Sequence, residues 1–240
     1  MTVSATKLVK DLAIEIPAAT NIFEKFGIDY CCGGKKSLQD ACASVGVATN
    51  EVIEMLDKAS ESPENTKKFN DWTKESLGLL VNYILENHHT YVHTELPRLN
   101  ALLTKVVNKH GENHIELYQV QANFSRLTEE LNVHMYKEEQ VLFPYIIRLE
   151  TAKEQKQYIP LPPFGTVANP ISVMCSEHDE AGEILHHMRK ITDNYAVPSD
   201  ACTSFTLLYQ GLVAFEEDLH KHVHLENNIL FPRAIAMEGK

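Results

Sequence analysis

The sequence predicts an all-α protein: a four-helix bundle with a polar site in its core, joined to a small N-terminal helical domain. Three observations predict it. Pro and Gly are sparse, ten of each in 240 residues, and strand-like alternation is hard to find. From Leu77 onward, apolar residues recur at helical steps of 3 and 4. One eleven-residue pattern is written twice, as HMYKEEQVLFP at 134–144 and as HVHLENNILFP at 222–232.

In chain order, residues 1–57 read as the small helical module. Pro17 is placed to open one helix and Gly27 to close it. Ser37 precedes a second helix, and Thr49 or Asn50 caps a third running from Glu51 to Lys58. Residues 58–73 are polar and read as a linker, leaving 74–240 for the bundle. The first bundle stripe is Val81, Leu85, His89, Val92, Leu96, Leu99, Leu103, with a kink expected at Pro97. The second is Leu117, Val120, Phe124, Leu127, Leu131, His134, Glu138, Val141, Tyr145. Glu150 to Pro170 carries four prolines and reads as the connection between two helical hairpins. The third stripe is Ile171, Met174, His178, Ala181, Leu185, Met188; the fourth is Phe205, Leu208, Leu212, Phe215, Leu219, His222, Glu226, Ile229.

Composition excludes several function classes. A net charge of −11 does not give nucleic acid or an anionic membrane its basic footprint. No apolar run spans a bilayer and the N-terminus lacks a signal-peptide layout, so the expected compartment is cytoplasmic. Five cysteines do not resemble a disulfide framework.

Each stripe carries polar groups where an apolar residue belongs. His89 precedes His134 by 45 residues, and His178 precedes His222 by 44, so each half supplies one His and then His-x-x-x-Glu. Residues i and i+4 share a helix face. Two such hairpins about a pseudo-twofold axis bring four imidazoles and two carboxylates together. A single His-x-x-x-Glu is ordinarily a solvated pair, and a single core His is ordinarily structural. The matched recurrence on core stripes points instead to a two-metal site, because six buried polar groups need a partner that satisfies them all. Imidazole with carboxylate suits iron, manganese or zinc. Counted as three protein residues per metal, the set leaves positions open for water, an oxo bridge, O2 or NO. His93 and His110 are candidates for an outer shell, as is Glu177 beside His178; His88 competes with His89. His186, His187, His220 and His224 fall off the stripes and read as surface residues.

The other concentrated signal is GIDYCCGG at 27–34. Cys31 and Cys32 precede two glycines and read either as exposed redox or delivery thiols or as part of a partly buried turn. Cys42, Cys175 and Cys202 fall in helical patterns and read as packing residues.

The blocks YCCGGKKSL, HMYKEEQVLFP, ISVMCSEHDEAGE and HVHLENNILFP resemble the di-iron iron–sulfur cluster repair proteins (RIC), over nearly the whole chain. The resemblance implies a haemerythrin-like bundle holding two non-haem irons, oxo- and carboxylate-bridged. Its ligands match His89, His134, Glu138, His178, His222 and Glu226. The glutamates would bridge, and His89/His134 and His178/His222 would terminate the two irons. It implies repair of clusters damaged by oxidative or nitrosative stress, by supplying iron to damaged proteins or an assembly scaffold, as monomer or homodimer. An O2- or NO-binding sensor and an NO-reducing enzyme are the competing readings. Ferritin-like oxidases favour Glu-x-x-His, which neither repeat has.

Overall fold

A computed structural model describes residues 3–16, 18–61, 71–158 and 162–239. The expected helix start at Pro17 and most of the expected linker lie outside the described residues. Among these residues there is no strand, and no helix is long and apolar enough to cross a membrane.

The N-terminal part holds α1 (Val9–Glu15), α2 (Ala19–Phe26), α3 (Leu38–Val45) and α4 (Thr49–Glu61). Gly27 closes α2 with left-handed φ 66°, where a glycine carries no Cβ penalty. Ser37 caps α3 by accepting the Asp40 N–H at 3.1 Å. The third expected helix, α4, begins earlier and ends later than Glu51 to Lys58: the Ala48 carbonyl already accepts the Glu51 N–H at 3.1 Å. Leu12, Phe23, Leu38, Val52 and Leu56 form the core of this part.

The bundle's first helix is α5 (Leu77–Tyr83), which passes through a π-helical turn (Ile84–His89) into α6 (Thr90–His110). The second is α7 (Glu116–Lys137), a π turn (Glu138–Leu142) and α8 (Phe143–Glu154). The third, α9 (Ala168–Ile191), is regular throughout. The fourth is α10 (Thr203–Leu225), a π turn (Glu226–Leu230) and α11 (Phe231–Glu238). The connection between the halves is shorter than Glu150 to Pro170, because α8 continues to Glu154 and α9 starts at Ala168. The helix runs through Pro97, whose missing N–H falls on an exposed face.

The repeated Leu-Phe-Pro explains two of the π turns. A proline cannot donate to the carbonyl four residues back, and its ring crowds that carbonyl. Opening the turn by one residue before Pro144 and Pro232 relieves both problems. The inserted residue advances every later side chain about 100° around the axis. Val141, expected on the core stripe, is therefore 47% exposed, and Leu142 takes its place at 1%. The same shift puts Ile84, rather than Leu85, fully inside.

The pseudo-twofold repeat extends beyond the quoted pattern. Glu150 stands 12 residues after Glu138, and Glu238 stands 12 after Glu226. Glu150 accepts the Leu77 and Gly78 N–H groups at 2.6 and 2.8 Å, and Glu238 accepts the Val167 N–H at 2.8 Å. Each half thus places a carboxylate from its second helix at the positive N-terminus of its first. Two apolar clusters fill the bundle, one around Leu99, Phe124, Leu185 and Phe215, the other around Leu80, Phe143, Ile171 and Phe231. The polar residues of the stripes form a layer between them.

The register shift is testable. Leu142→Ala should cost about 2–5 kcal/mol in urea denaturation, and Val141→Ala no more than about 0.5 kcal/mol. Uninterrupted α-helical periodicity predicts a large cost for Val141, so comparable losses for the two variants would refute the π turn.

Candidate metal centre

The layer is built from positions the π turns create. His89 ends the first π turn, Glu138 begins the second and Glu226 begins the third. His134 and His222 lie one α-turn before those glutamates, and His178 sits mid-way along the regular α9. All six are buried, Glu138 and Glu226 completely.

The six groups fall into two sets. His89, His222, Glu138 and Glu226 each turn one ligand atom to a common point, with those atoms within 4.8 Å of one another. His134, His178, Glu138 and Glu226 do the same. Both glutamates belong to both sets. The imidazole pairing differs from the expected one: His89 stands with His222 and His134 with His178, ring centroids 4.9 and 4.7 Å apart. The packing allows it, since the first helix lies against the fourth as well as the second, and the second also against the third. Each set therefore draws one His from each half. Four residues rather than three surround each point, because both carboxylates are shared.

The local interactions fit a cation. Within the sets, His134 Nε2 lies 3.3 Å from Glu138 Oε2, His178 Nε2 lies 3.2 Å from Glu226 Oε2, and His222 Nε2 lies 3.0 Å from Glu226 Oε1. Three imidazoles are held by their other nitrogen: His89 Nδ1 by Glu139 at 2.8 Å, His134 Nδ1 by Glu177 at 2.9 Å and His178 Nδ1 by Asn227 at 2.9 Å. Such outer partners fix the tautomer and aim Nε2 inward. Both oxygens of Glu138, Oε2 of Glu226 and Nε2 of His89 are buried without a hydrogen-bond partner. Buried charge in that state is costly, and a metal ion satisfies these atoms together.

Burial and the neighbouring Glu226 push the Glu138 carboxyl up, but the imidazoles of His134 and His89 outweigh both and hold it below its ordinary value. Burial disfavours the His134 imidazolium, yet Glu138, Glu177 and Glu226 raise it to about 10. Glu177, hydrogen-bonded to His134 and paired with Lys137, is held down at about 2.

The other named residues divide clearly. Glu177 touches a layer histidine directly. His93 is half-exposed and lies 3.5 Å from Glu139, one step further out. His88 is also buried, bonded to Asp218 at 3.1 Å and stacked on the His222 ring at 5.6 Å. His110 belongs elsewhere: it ends α6, 21 residues beyond His89, or about 30 Å along the helix. His186 and His187 are exposed, but His220 and His224 are not surface residues. His220 Nδ1 lies 2.9 Å from Glu24, and the Tyr30 ring packs on His224 with centroids 5.4 Å apart. The N-terminal part covers that face of α10.

The same docking changes the picture of the cysteine turn. Cys31 is 8% exposed and packs into the bundle's own apolar cluster, with Cys32 half-buried beside it. Asn228, two residues after Glu226, donates to the Tyr30 carbonyl at 3.1 Å and the Cys31 carbonyl at 3.4 Å. Asp29 accepts the N–H groups of Cys31, Cys32 and Gly33 at 2.8–3.0 Å, which folds the turn. A Cβ at Gly33 would stand 2.8 Å from Asp29 Oδ2, and one at Gly34 2.6 Å from the Tyr30 carbonyl, so both positions need glycine. Asn227, Glu139 and Asn228 escaped the sequence reading. Their signal was weak: polar residues immediately after the repeated Glu, on the face that the π turn rotates inward.

Comparison with known proteins adds an independent finding. A family model described as the haemerythrin HHE cation-binding domain matches residues 80–234, and one described as a domain of unknown function matches residues 5–60. A probable iron–sulfur cluster repair protein of Haemophilus influenzae is 36% identical, covering 96% of this chain and 97% of that protein. The iron–sulfur cluster repair protein YtfE of Enterobacter sp. strain 638 is 37% identical, covering 95% and 96%. That of Escherichia coli O81 is 38% identical, with the same coverage.

The pairing predicts metal content. A His89→Ala/His222→Ala variant should keep metal on the His134/His178 set, whereas His89→Ala/His134→Ala should weaken both sets. Iron per chain by atomic emission, with helicity by circular dichroism as a folding control, distinguishes the two. Glu138→Leu or Glu226→Leu should empty both sets while leaving the metal-free fold as stable or more so, since an apolar residue replaces an uncompensated charge.

Proposed function

The chain belongs to the family of haemerythrin-type iron–sulfur cluster repair proteins, and from that premise we propose that it restores clusters damaged by oxidative or nitrosative stress by supplying iron from a two-iron centre. The observation that carries this reading is the pair of overlapping His2Glu2 sets with both glutamates in common. His89 and His222 would hold one iron, His134 and His178 the other, with Glu138 and Glu226 bridging and an oxo group completing the resting pair. Bound there, the irons supply redox-active metal in a site that hard oxygen and imidazole donors hold without thiolates.

The protein's own groups then set how firmly that iron is kept. Glu139, Glu177 and Asn227 orient three of the histidines through Nδ1. Glu139 and Glu177 also reach partly exposed positions, so the ligands connect to solvent through carboxylates. On the other side, Asn227 Oδ1 accepts from both His178 and the Cys175 thiol, at 2.9 and 3.3 Å. Asn228, next in the chain to Asn227, donates to the Tyr30 and Cys31 carbonyls, so the cysteine turn lies on this side of the centre. In this reading Cys31 and Cys32 receive or relay iron on its way to a damaged iron–sulfur protein or an assembly scaffold.

The test is transfer. Iron-loaded protein mixed with a metal-free cluster scaffold, sulfide and reductant should lose iron as the scaffold gains cluster absorbance. Retention of iron by the loaded protein would sink the donor reading. A Cys31→Ser/Cys32→Ser variant should keep its iron and lose about tenfold or more in transfer rate; unchanged transfer would leave the pair a structural turn.

A further inference from the structure

The end of the bundle far from the metal layer carries a second concentration of reactive side chains. Cys202 does not lie within a helix, as its sequence pattern suggested; it is the N-cap of α10. Its Sγ lies 3.2 Å from His110 Nε2, contributed by the last residue of α6. His110 is 92% buried, its ring tilted against Phe205 with centroids 5.3 Å apart, and the sulfur is the hydrogen-bond partner of that ring. The thiol itself is half-buried, so it is open to small molecules.

The charges around the sulfur favour the thiolate. Cys202 stands at the positive N-terminal end of a 23-residue helix, its carbonyl accepting the Phe205 N–H at 2.9 Å, and the Phe205 and Ser204 N–H groups favour its thiolate. Lys109 adds a positive charge from α6. Asp200, from the loop before α10, would oppose a thiolate, but His114 Nε2 engages both its oxygens at 3.0 and 3.1 Å. His114 Nδ1 is held in turn by Glu116, from the start of α7, at 3.2 Å. The Phe205 N–H first, then His110, lower the Cys202 thiol to about 7. The other shifted thiols move the opposite way: Cys31 is raised by its bond to Cys32 and by burial, and Cys42 and Cys175 by burial.

We propose that Cys202 and His110 form a reactive thiol site that undergoes exchange with low-molecular-weight disulfides, giving a reversible mixed disulfide on this chain. In the step, the Cys202 sulfur attacks one sulfur of the small disulfide. A new S–S bond forms as the old one breaks, and the departing thiolate takes a proton, for which His110 Nε2 is the nearest carrier. No outside oxidant is needed, because the incoming disulfide is reduced to a thiol as Cys202 is oxidised. The chemistry suits the site, since attacking thiols are most effective when their pKa lies near ambient pH. An intramolecular disulfide is out of reach: Cys202 stands about 30 Å along α10 from the metal layer, beside which Cys31, Cys32 and Cys175 lie, and Cys42 is sealed in the core of the N-terminal part. The adduct therefore persists until an external thiol removes it.

The experiment uses iron-loaded full-length protein and glutathione disulfide as the probe, with peptide mass spectrometry to locate the adduct. Cys202 should be modified first, with iron content unchanged, and the pH profile of its rate should turn near 7 rather than at the ~8.5 of an ordinary thiol. In His110→Gln the turning point should move up and the rate at pH 6 fall by on the order of threefold. If His110→Gln does not fold, the profile of the unaltered protein decides. First modification at Cys32, a profile turning near 8.5, or a folded His110→Gln variant with an unchanged profile would each overturn the proposal.

Discussion

Two carboxylates sealed from water govern this structure. Glu138 and Glu226 have no exposed surface, and three of their four oxygens have no hydrogen-bond donor. Removing such ions from water costs several kcal/mol each even after relaxation. Two of the imidazoles, His89 and His134, compensate in part, by holding protons that the surrounding carboxylates draw to them. A metal ion does so fully, by presenting charge to every orphaned atom at once. Most of the remaining architecture serves to keep those atoms in place: apolar clusters above and below the layer fix the helices, and Glu139, Glu177 and Asn227 fix the rings.

The fold class and the six converging side chains were legible because both are periodic signals. Helical steps of 3 and 4 identified the stripes, and duplication identified the polar exceptions on them. What escaped was whatever broke the period. Val141 and Leu142 exchange roles because one extra residue enters the helix between Glu138 and Pro144, and a rule written for 3.6 residues per turn carries straight past it. The proline that forces the turn was in plain view, but its consequence for the residues before it needs the backbone. The imidazole pairing escaped for another reason. Sequence order groups His89 with His134, whereas space groups residues by which helices touch, and short connections leave that order open.

The N-terminal part was harder still. Its docking uses single polar contacts, Glu24 to His220 and Asn228 to the Tyr30 carbonyl, with Tyr30 laid against His224. None forms a stripe. The histidines involved looked like solvent residues because they lie off the core face of α10, and the covering surface belongs to a segment almost 200 residues away. The consequence reaches the centre. The cysteine turn is anchored at Asn228, and Asn227 beside it holds His178, so adjacent side chains after Glu226 tie the covering part to a metal-facing ring.

The two halves are alike but not identical, and their difference explains the unpaired π turn. Each first helix is anchored where a glutamate from its own second helix accepts the N–H of a fully buried aliphatic residue, Leu77 in one half and Val167 in the other. His89 follows its anchor by 12 residues and His178 by 11. A regular helix would turn His89 about 100° away from the layer for that one extra residue. The π turn at Ile84–His89 takes it up, and α9, with no residue to absorb, stays regular. The Thr90 N–H and hydroxyl both donate to the Leu85 carbonyl, the hydroxyl at 3.0 Å, which ties down the end of the widened turn. A symmetric metal layer is thus reached from unequal chain lengths, because the demand that four imidazoles meet two buried carboxylates outranks the regularity of the helix that delivers them.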